Sequence, residues 1–199
     1  MVKAIIYDFG KVLLDWDPHH LYDPYFGSRE KTDWFLENIC TGLWNEKQDA
    51  GRPLAEATEE LVSLHPEWEK EIRMYYGQWI KMIGEQTPGM AEFIKDFKSR
   101  GYKAYGLSNW SDETFPLVKD NFEVFSLMDG MVVSGVVKVA KPDPRIYEIL
   151  FEKFNLKPEE CIFIDDSPRN IAGAQKAGMR GIIFQDPDQA RRELEALLA

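Results

Sequence analysis

The segment that decides the fold is VKAIIYDFGKV, residues 2–12. Its first half, Ala4–Tyr7, is a short apolar run without polar alternation, which is typical of a strand buried on both faces of a parallel sheet. Asp8 follows directly, so we expect a carboxylate at the carboxyl end of that strand. In open α/β sheets this edge is where ligands bind.

The pattern of this first strand recurs along the chain. Four further apolar runs predict buried strands: Ala104–Leu107, Gly130–Val133, Ile162–Ile164 and Gly181–Phe184. Amphipathic helical patterns alternate with the later runs, at Pro88–Arg100, Pro144–Phe154 and Ser167–Ala177. Strands that alternate with helices indicate parallel crossovers. The predicted fold class is therefore α/β, a Rossmann-like parallel sheet with helices on both faces.

The stretch after the first strand has a different character. Residues from about 16 to 85 carry no strand pattern, and helical patterns occur at Lys31–Ile39, Leu54–Leu64 and Trp68–Met82. A helical insertion at this point predicts a small α-helical cap above the strand ends, able to exclude water from a ligand. We therefore expect a core made of residues 1–15 and 86–199, and a cap made of residues 16–85.

The composition narrows the class of partner. Of 199 residues, 44% are hydrophobic, and the formal net charge is −10. This acidic balance argues against nucleic acid and anionic membranes as partners. No apolar run approaches the ~20 residues that span a bilayer. The N-terminus has no secretory pattern, which predicts a cytoplasmic protein. No pattern indicates an oligomeric state.

Three polar motifs follow predicted strands or strand-like segments: Ser108-Asn109, Lys141-Pro142 and Asp165-Asp166. A hydroxyl and an ammonium can bind phosphoryl oxygens, and adjacent carboxylates suit a divalent cation such as Mg²⁺. Each motif also has an ordinary interpretation, as a loop, a solvated lysine or a helix cap. Their joint occurrence at strand ends, together with Asp8, favours one site for phosphate chemistry.

These four motifs resemble those of the haloacid dehalogenase-like hydrolase superfamily over nearly the whole chain. The resemblance implies that Asp8 is the nucleophile, which forms an aspartyl-phosphate. It further implies that Ser108, the amide of Asn109 and Lys141 bind the phosphoryl group. The expected function is a phosphatase that acts on a small phosphorylated metabolite.

The resemblance also implies a Mg²⁺ site. In the family pattern, Asp8, the backbone carbonyl of Gly10 and Asp166 hold the ion. Asp165 lies beside them as a ligand, either directly or through water. Magnesium is therefore the expected cofactor.

The chain departs from the family pattern at Gly10, where phosphatases of the family usually carry an aspartate that protonates the leaving alcohol. Asp-x-Gly-x-Val resembles a branch of capped phosphatases that includes α-D-glucose-1-phosphatase-like enzymes. That likeness implies a substrate with a good leaving group, such as an anomeric sugar hydroxyl. We expect the loop to be shaped around the backbone freedom of Gly10.

Two groups of residues could compensate for the missing acid or contact the substrate. The candidates for a replacement acid or base are Asp15, Asp17, His19 and His20. The favoured alternative is that Asp15 and Asp17 cap the first cap helix and that His19 and His20 lie in solvent. The candidates for facing the substrate from the cap are Trp44, Glu46 and the segment 49–51.

Three other functions compete with the phosphatase. A 2-haloacid dehalogenase would use Asp8 on carbon without metal, and it has no use for the pair Asp165-Asp166. A phosphomutase needs the acid–base group that Gly10 lacks. A catalytically weak binding or regulatory protein of the same fold would be consistent with Gly10 but not with the remaining motifs.

Overall fold

The structure, a computed structural model, describes residues Met1–Ala199 and contains seven strands. They are β1 (Ala4–Tyr7), β2 (Leu14–Trp16), β3 (Ile83–Gln86), β4 (Lys103–Ser108), β5 (Gly130–Val133), β6 (Cys161–Asp165) and β7 (Arg180–Ile183). Five of them form a parallel sheet in the order β5-β4-β1-β6-β7. All five predicted strands are confirmed, with ends that differ by at most one residue.

Eleven helices surround this sheet. They are α1 (His19–Phe26), α2 (Arg29–Asn38), α3 (Gly42–Asp49), α4 (Leu54–Leu64), α5 (Glu69–Gly77), α6 (Met90–Ser99), α7 (Glu123–Ser126), α8 (Ser134–Val137), α9 (Pro144–Phe154), α10 (Pro168–Lys176) and α11 (Pro187–Leu198). Apolar side chains of α6 and α11 pack on one face of the sheet, and those of α9 and α10 pack on the other. The predicted α/β architecture with helices on both faces is therefore confirmed.

The register of the central strands brings three motifs to one edge. Tyr7 at the end of β1 pairs with Gly106 of β4 on one side and with Ile164 of β6 on the other. The residues that follow these positions, among them Asp8, Ser108 and Asp165, therefore lie at the same carboxyl edge. Between β1 and β6 the strand order reverses, which is the position where open α/β sheets bind ligands.

A helical insertion, defined here as α1–α5 and the 3₁₀ turn Trp79–Met82 (residues 19–82), stands between β2 and β3. These two strands form an antiparallel pair, with Leu14 opposite Gln86. The expectation that residues 16–85 contain no strand is therefore wrong at Ile83–Gln86. This short segment has one apolar residue, and its pairing depends on a contact with a distant part of the chain. Gly84 permits that contact, because a Cβ there would lie 2.4 Å from Oδ2 of Asp15.

Within the insertion, the predicted helix patterns are confirmed in part. Leu54–Leu64 matches α4, and Lys31–Ile39 lies largely within α2. The pattern at Trp68–Met82 is divided, because α5 ends at Gly77 and a separate 3₁₀ turn covers Trp79–Met82. Helices α1 and α3 lack a strong apolar period, and α1 contains a proline in its interior.

The hydrophobic core continues from the sheet into the helical insertion. Trp79 of the insertion packs edge to face on Trp110, with ring centroids 5.6 Å apart, and Trp110 lies 6.3 Å from Phe9 of the loop after β1. These aromatic contacts seat the insertion on the edge of the sheet that carries Asp8. None of the helices combines the length and the apolar composition that crossing a membrane would require.

Candidate active site

The loop after β1 holds the Asp8 carboxylate at the edge of the sheet. The backbone N–H of Asp8 donates to the carbonyl of Ile164 in β6, at 2.9 Å. The N–H of Phe9 donates to Oδ1 of Asp8, at 2.7 Å. The Phe9 ring fills the space above Gly106. A Cβ on residue 106 would lie 2.4 Å from Cε1 of Phe9. Gly106 therefore allows the loop to close down on the sheet and fixes the direction of Asp8.

The side chain of Lys141 is fully buried and joins three strand ends. Its Nζ lies 2.8 Å from Oδ1 of Asp8 and 2.7 Å from Oδ2 of Asp165. It also donates to the carbonyl of Leu107 in β4, at 3.0 Å. A buried charge is tolerated only when it is paired and hydrogen-bonded, and here both conditions are met.

The charged side chains of this cluster shift one another's pKa values. Burial is the largest effect on Asp8 and, with the neighbouring Asp165, raises the pKa of Asp8 to about 7 although Lys141 opposes the shift. Burial lowers the pKa of Lys141, but the two carboxylates outweigh it, so this pKa lies above its ordinary value. The ammonium therefore stays charged, and the Asp8 carboxylate is costly to keep ionised in the absence of another cation.

Asp165 and Asp166, at the end of β6, have different surroundings. Asp165 is fully buried and, besides Lys141, accepts hydrogen bonds from the N–H of Ser167 at 2.8 Å and from Nδ2 of Asn170 at 3.1 Å. Asp166 is half-buried and faces the cavity. Burial, together with Asp165, raises the pKa of Asp166. The oxygens of Asp166 are therefore the freer ones.

The three carboxylates can share a cation. Asp8, Asp165 and Asp166 each offer an oxygen, and these oxygens lie within 4.8 Å of one another. Carboxylate oxygens are the ligands that a hard cation such as Mg²⁺ prefers. The donor set and the raised pKa values of Asp8 and Asp166 both fit a divalent cation at this position.

Ser108 is the last residue of β4, and Asn109 follows it beside this cluster. Ser108 is buried and lines the cavity. The side chain of Asn109 is committed to the backbone of Lys141: its Nδ2 donates to the carbonyl at 3.0 Å, and its Oδ1 accepts from the N–H at 2.7 Å. Asn109 therefore fixes the loop that carries Lys141, whose peptide bond to Pro142 is cis.

A cavity of about 290 Å³ opens above these groups. Asp8, Ser108 and Asp166 form part of its floor, and the helical insertion forms the opposite wall with Asn45, Glu46, Asp49, Tyr76 and Trp79. At the mouth, Nη2 of Arg169 in α10 lies 2.8 Å from Oε1 of Glu46 in α3. The volume is similar to that of small-molecule sites.

A known family pattern covers this arrangement. The model of the haloacid dehalogenase-like hydrolase family matches residues 2–178. The chain belongs to this family of hydrolases.

Named relatives of this haloacid dehalogenase-like hydrolase include several enzymes. The phosphorylated carbohydrates phosphatase of Thermotoga maritima is 24% identical over 91% of this chain and 84% of its own length. The (S)-2-haloacid dehalogenase 4A of Burkholderia cepacia is 30% identical over 48% of this chain and 41% of its own. The drimenol cyclase drtB of Aspergillus calidoustus is 24% identical over 98% of this chain, which spans only 36% of that protein's length.

Solved structures share the fold of this hydrolase. A predicted HAD-like family hydrolase from Porphyromonas gingivalis superposes with a TM-score of 0.74 at 19% identity, over 100% of this chain and 98% of its own. A HAD family enzyme from Bacteroides thetaiotaomicron, solved as a variant in complex with magnesium and inorganic phosphate, gives a TM-score of 0.70 at 20% identity, over 94% and 95%.

The structure of the hydrolase brings together every residue expected at the phosphate and metal sites. Asp8, Gly10, Ser108, Asn109 and Asp166 line the cavity. Lys141 lies beneath it, in contact with both Asp8 and Asp165.

The candidates for a replacement acid lie elsewhere. Asp15, Asp17, His19 and His20 do not line the cavity that contains Asp8. His20 pairs with Asp15 at 2.8 Å, and His19 bridges Asp17 at 2.5 Å and Asp33 at 2.8 Å. Asp17 also accepts the N–H of His19 at the start of α1. The alternative interpretation therefore fits in part: Asp17 binds the backbone at the start of α1, but Asp15 pairs with His20 instead, and the side chain of His19 is only 19% exposed.

Some of the residues expected to face the substrate from the cap do line the cavity, and others do not. Glu46 and Asp49 face the cavity, whereas Trp44 is buried within the insertion and donates its Nε1–H to the carbonyl of Ala57, at 3.4 Å. Sequence reasoning missed Arg169 and Asn170, which also line the cavity of the hydrolase. Their place in the sequence could have indicated this, because both lie in the first turn of the helix that follows Asp165-Asp166.

The expectation that the loop depends on the backbone freedom of Gly10 is wrong. Gly10 does not have a positive φ, and a Cβ there would meet only the Cβ of Trp16, at an ordinary 3.9 Å. The left-handed residue of this loop is Lys11, with φ of 62°. Its N–H donates to the carbonyl of Leu14, at 2.7 Å, which closes the turn. The missing side chain at position 10 is therefore a chemical difference rather than a steric requirement.

Proposed function

We propose that this protein is a Mg²⁺-dependent phosphatase that acts on small phosphorylated metabolites through an aspartyl-phosphate on Asp8. The observation that carries the proposal is the pair of contacts made by Lys141 with Asp8 and Asp165, beside the freer carboxylate of Asp166. A carboxylate nucleophile, a fixed ammonium and a second carboxylate at one cavity floor are the groups that phosphoryl transfer requires.

Asp8, Asp166 and the carbonyl of Gly10 would hold the magnesium ion. Bound there, it would offset the negative charge of the two carboxylates and of the phosphoryl oxygens. Asp165 contributes mainly through Lys141, because its oxygens already accept from Lys141, Ser167 and Asn170. An aqueous ligand shared with Asp165 would be compatible with these contacts.

The residues of the chain then carry out two displacements. An oxygen of Asp8 attacks phosphorus, and the bond to the alcohol oxygen breaks with its electron pair leaving on that oxygen. Ser108 and Lys141 stabilise the charge on the phosphoryl oxygens, with the backbone amide of Asn109 as a further donor. Water next attacks phosphorus, inorganic phosphate leaves, and Asp8 is restored as a carboxylate.

The wall above the site supports a proposal for the substrate class. We infer that residues 16–85 act as the cap and residues 1–15 and 86–199 as the catalytic core, with Trp79 and Tyr76 facing the substrate from the cap. Sugar phosphates such as glucose 1-phosphate suit a cavity of about 290 Å³ with mixed polar and aromatic walls. The likeness to a phosphorylated carbohydrates phosphatase supports the same class.

A 2-haloacid dehalogenase is the second candidate, because one relative carries that name. In that reaction Asp8 would attack carbon, and no cation would be needed. The cluster of Asp8, Asp165 and Asp166 favours the phosphatase, because the single ammonium of Lys141 offsets only part of the charge of three carboxylates whose oxygens lie within 4.8 Å of one another. A bound divalent cation would offset the rest.

The test measures phosphate release from sugar phosphates and p-nitrophenyl phosphate, with Mg²⁺ or with EDTA, alongside chloride release from a 2-chloro acid. Phosphate release that requires Mg²⁺ and disappears in Asp8→Asn supports the phosphatase. Metal-independent chloride release would support the dehalogenase. Release of neither ion by folded protein that binds Mg²⁺ would favour a binding or regulatory role.

A further inference from the structure

The proposed phosphatase lacks an evident proton donor for the leaving alcohol. Gly10 has no side chain, and the four candidates of the β2–α1 segment lie outside the cavity. The only carboxyl groups that line the cavity, apart from those of Asp8 and Asp166, are Glu46 and Asp49 of α3. Both stand on the wall opposite the floor, on the side from which the leaving group must depart if Asp8 attacks in line.

These two carboxyl groups differ in their partners. Glu46 is engaged by the guanidinium of Arg169 at 2.8 Å, and its side chain is 45% exposed at the cavity mouth. Asp49 is half-buried and forms no ion pair with any cation of the chain. Asp49 is therefore the carboxyl group that is free to carry a proton.

A chain of hydrogen bonds holds Asp49 in place. Nδ2 of Asn45 donates to Oδ2 of Asp49 at 2.8 Å, and the hydroxyl of Tyr76 donates to Oδ1 of Asn45 at 2.9 Å. Tyr76 in turn accepts from Nε2 of Gln48, at 3.2 Å. The hydroxyl of Ser134, from the core, donates to the Asp49 carbonyl and ties the end of α3 to the sheet. A surface carboxylate would not need this support, whereas a proton-transfer group must be held in position.

We propose that Asp49 protonates the leaving-group oxygen and then accepts a proton from the water that hydrolyses the phosphorylated Asp8. This inference rests on the proposed phosphatase function. In the first step the electron pair of the broken P–O bond stays on the leaving oxygen, which takes the proton of Asp49. In the second step water attacks phosphorus and gives its proton to Asp49, and the bond between phosphorus and Asp8 breaks. Both residues return to their starting states.

The electrostatics of the cavity support this role. Burial, followed by the carboxylate of Glu46, raises the pKa of Asp49 to about 7. Asp8 adds to the shift, and the backbone N–H of Ser111 and the ammonium of Lys141 oppose it. Near neutral pH both forms of Asp49 are populated, which is the condition for efficient acid and base catalysis. Burial places the pKa of the neighbouring Tyr76 far above that range, so Tyr76 orients the network rather than titrating with it.

The test compares leaving groups in the presence of Mg²⁺. In Asp49→Asn, kcat/KM for a sugar phosphate should fall by ~10²–10⁴-fold, because the alkoxide must leave without a proton. For 2,4-dinitrophenyl phosphate, whose leaving group needs no proton, kcat/KM should fall by less than about tenfold. The same variant should release one equivalent of dinitrophenolate in a burst and then stall as the aspartyl-phosphate.

The control is Glu46→Gln, the other carboxyl group on the same wall. It should keep the leaving-group dependence of the wild type. In Glu46→Gln, the alkaline limb of the pH profile of kcat/KM should lie at lower pH than in the wild type, because removal of the Glu46 charge lowers the pKa of Asp49. In Asp49→Asn that limb should disappear.

Equal losses on both substrates in Asp49→Asn, or no loss on the sugar phosphate, would overturn the role of Asp49. A wild-type protein that hydrolyses neither substrate would instead overturn the proposed phosphatase function, and this inference with it. The dinitrophenyl ester separates the two failures, because it needs Asp8 but no proton donor.

Discussion

The substitution Asp8→Asn should inactivate the protein and also stabilise its metal-free form in alkaline solution. Asp8 is buried, and its pKa rises from 3.8 to about 7 in the folded state. Below pH 3.8 both folded and unfolded states are protonated there, and Asp8 contributes nothing to the pH dependence. Between pH 3.8 and 7 only the folded state holds the proton, so stability falls as the pH rises. Above pH 7 the loss is complete.

The size of the effect follows from these values. At 1.36 kcal/mol for each pH unit, a rise from 3.8 to about 7 corresponds to about 4 kcal/mol. Between pH 5 and 8, the part that can be measured conveniently is about 3 kcal/mol, which accrues between pH 5 and 7. Asparagine keeps a carbonyl oxygen that can accept from Phe9 and Lys141 but carries no charge.

The assay is urea unfolding in EDTA, followed by tryptophan fluorescence, for wild type and Asp8→Asn at pH 5, 6, 7 and 8. The stability advantage of the variant should grow by about 3 kcal/mol over that range. Saturating Mg²⁺ at pH 8 should stabilise the wild type, by about 2.7 kcal/mol at a hundredfold excess over Kd, and the variant much less. A difference in unfolding free energy that stays constant or shrinks with pH would refute the argument.

Three further perturbations test the same geometry. Lys141→Met should cost ~3–5 kcal/mol in urea unfolding at pH 8 with EDTA, because it leaves two buried carboxylates without their cation; an unchanged midpoint would contradict this. Asp166→Asn should weaken Mg²⁺ binding measured by calorimetry at least tenfold while the fold, followed by circular dichroism, is retained. In thermal unfolding, Gly106→Ala should lower the stability of the protein by ~1–3 kcal/mol, because the Cβ of the alanine would lie 2.4 Å from Phe9. The matched control Gly77→Ala, where no atom lies within 4 Å, should be neutral or slightly stabilising in the same thermal unfolding measurement.

The central sheet and its polar edge could be predicted because their signals are local. Each buried strand is a short apolar run, and Asp8, Ser108 and Asp165 are the residues at or directly after three strand ends. Parallel strands carry those ends to the same edge, so the sequence order of the motifs implied their proximity. No long-range information was needed for this step.

Other features depend on contacts between distant segments, and periodicity does not encode them. The ribbon of β2 and β3 is mostly polar, and it exists because two segments about seventy residues apart meet. The role of the Asn109 side chain could not be predicted, because its hydrogen bonds go to the backbone of Lys141, 32 residues away. The pKa of Asp49 depends on Asp8 and Ser111, which belong to other segments. Strand pairings, hydrogen bonds and pKa values of this kind can be read only from the folded structure.

The position of Lys141 between three strand ends has a consequence for the biosynthesis of the protein. Asp8 is synthesised well before its partner strand β6, which begins at Cys161 and pairs with Ala4 across 157 residues of chain. Contacts so distant in sequence form late in folding. A nascent chain that stops before β6 contains Asp8, the proposed nucleophile, but lacks Asp165, which pairs with Lys141 in the folded protein. We therefore expect such a chain to be inactive. Enzymatic activity would therefore report that synthesis and folding of the core have been completed.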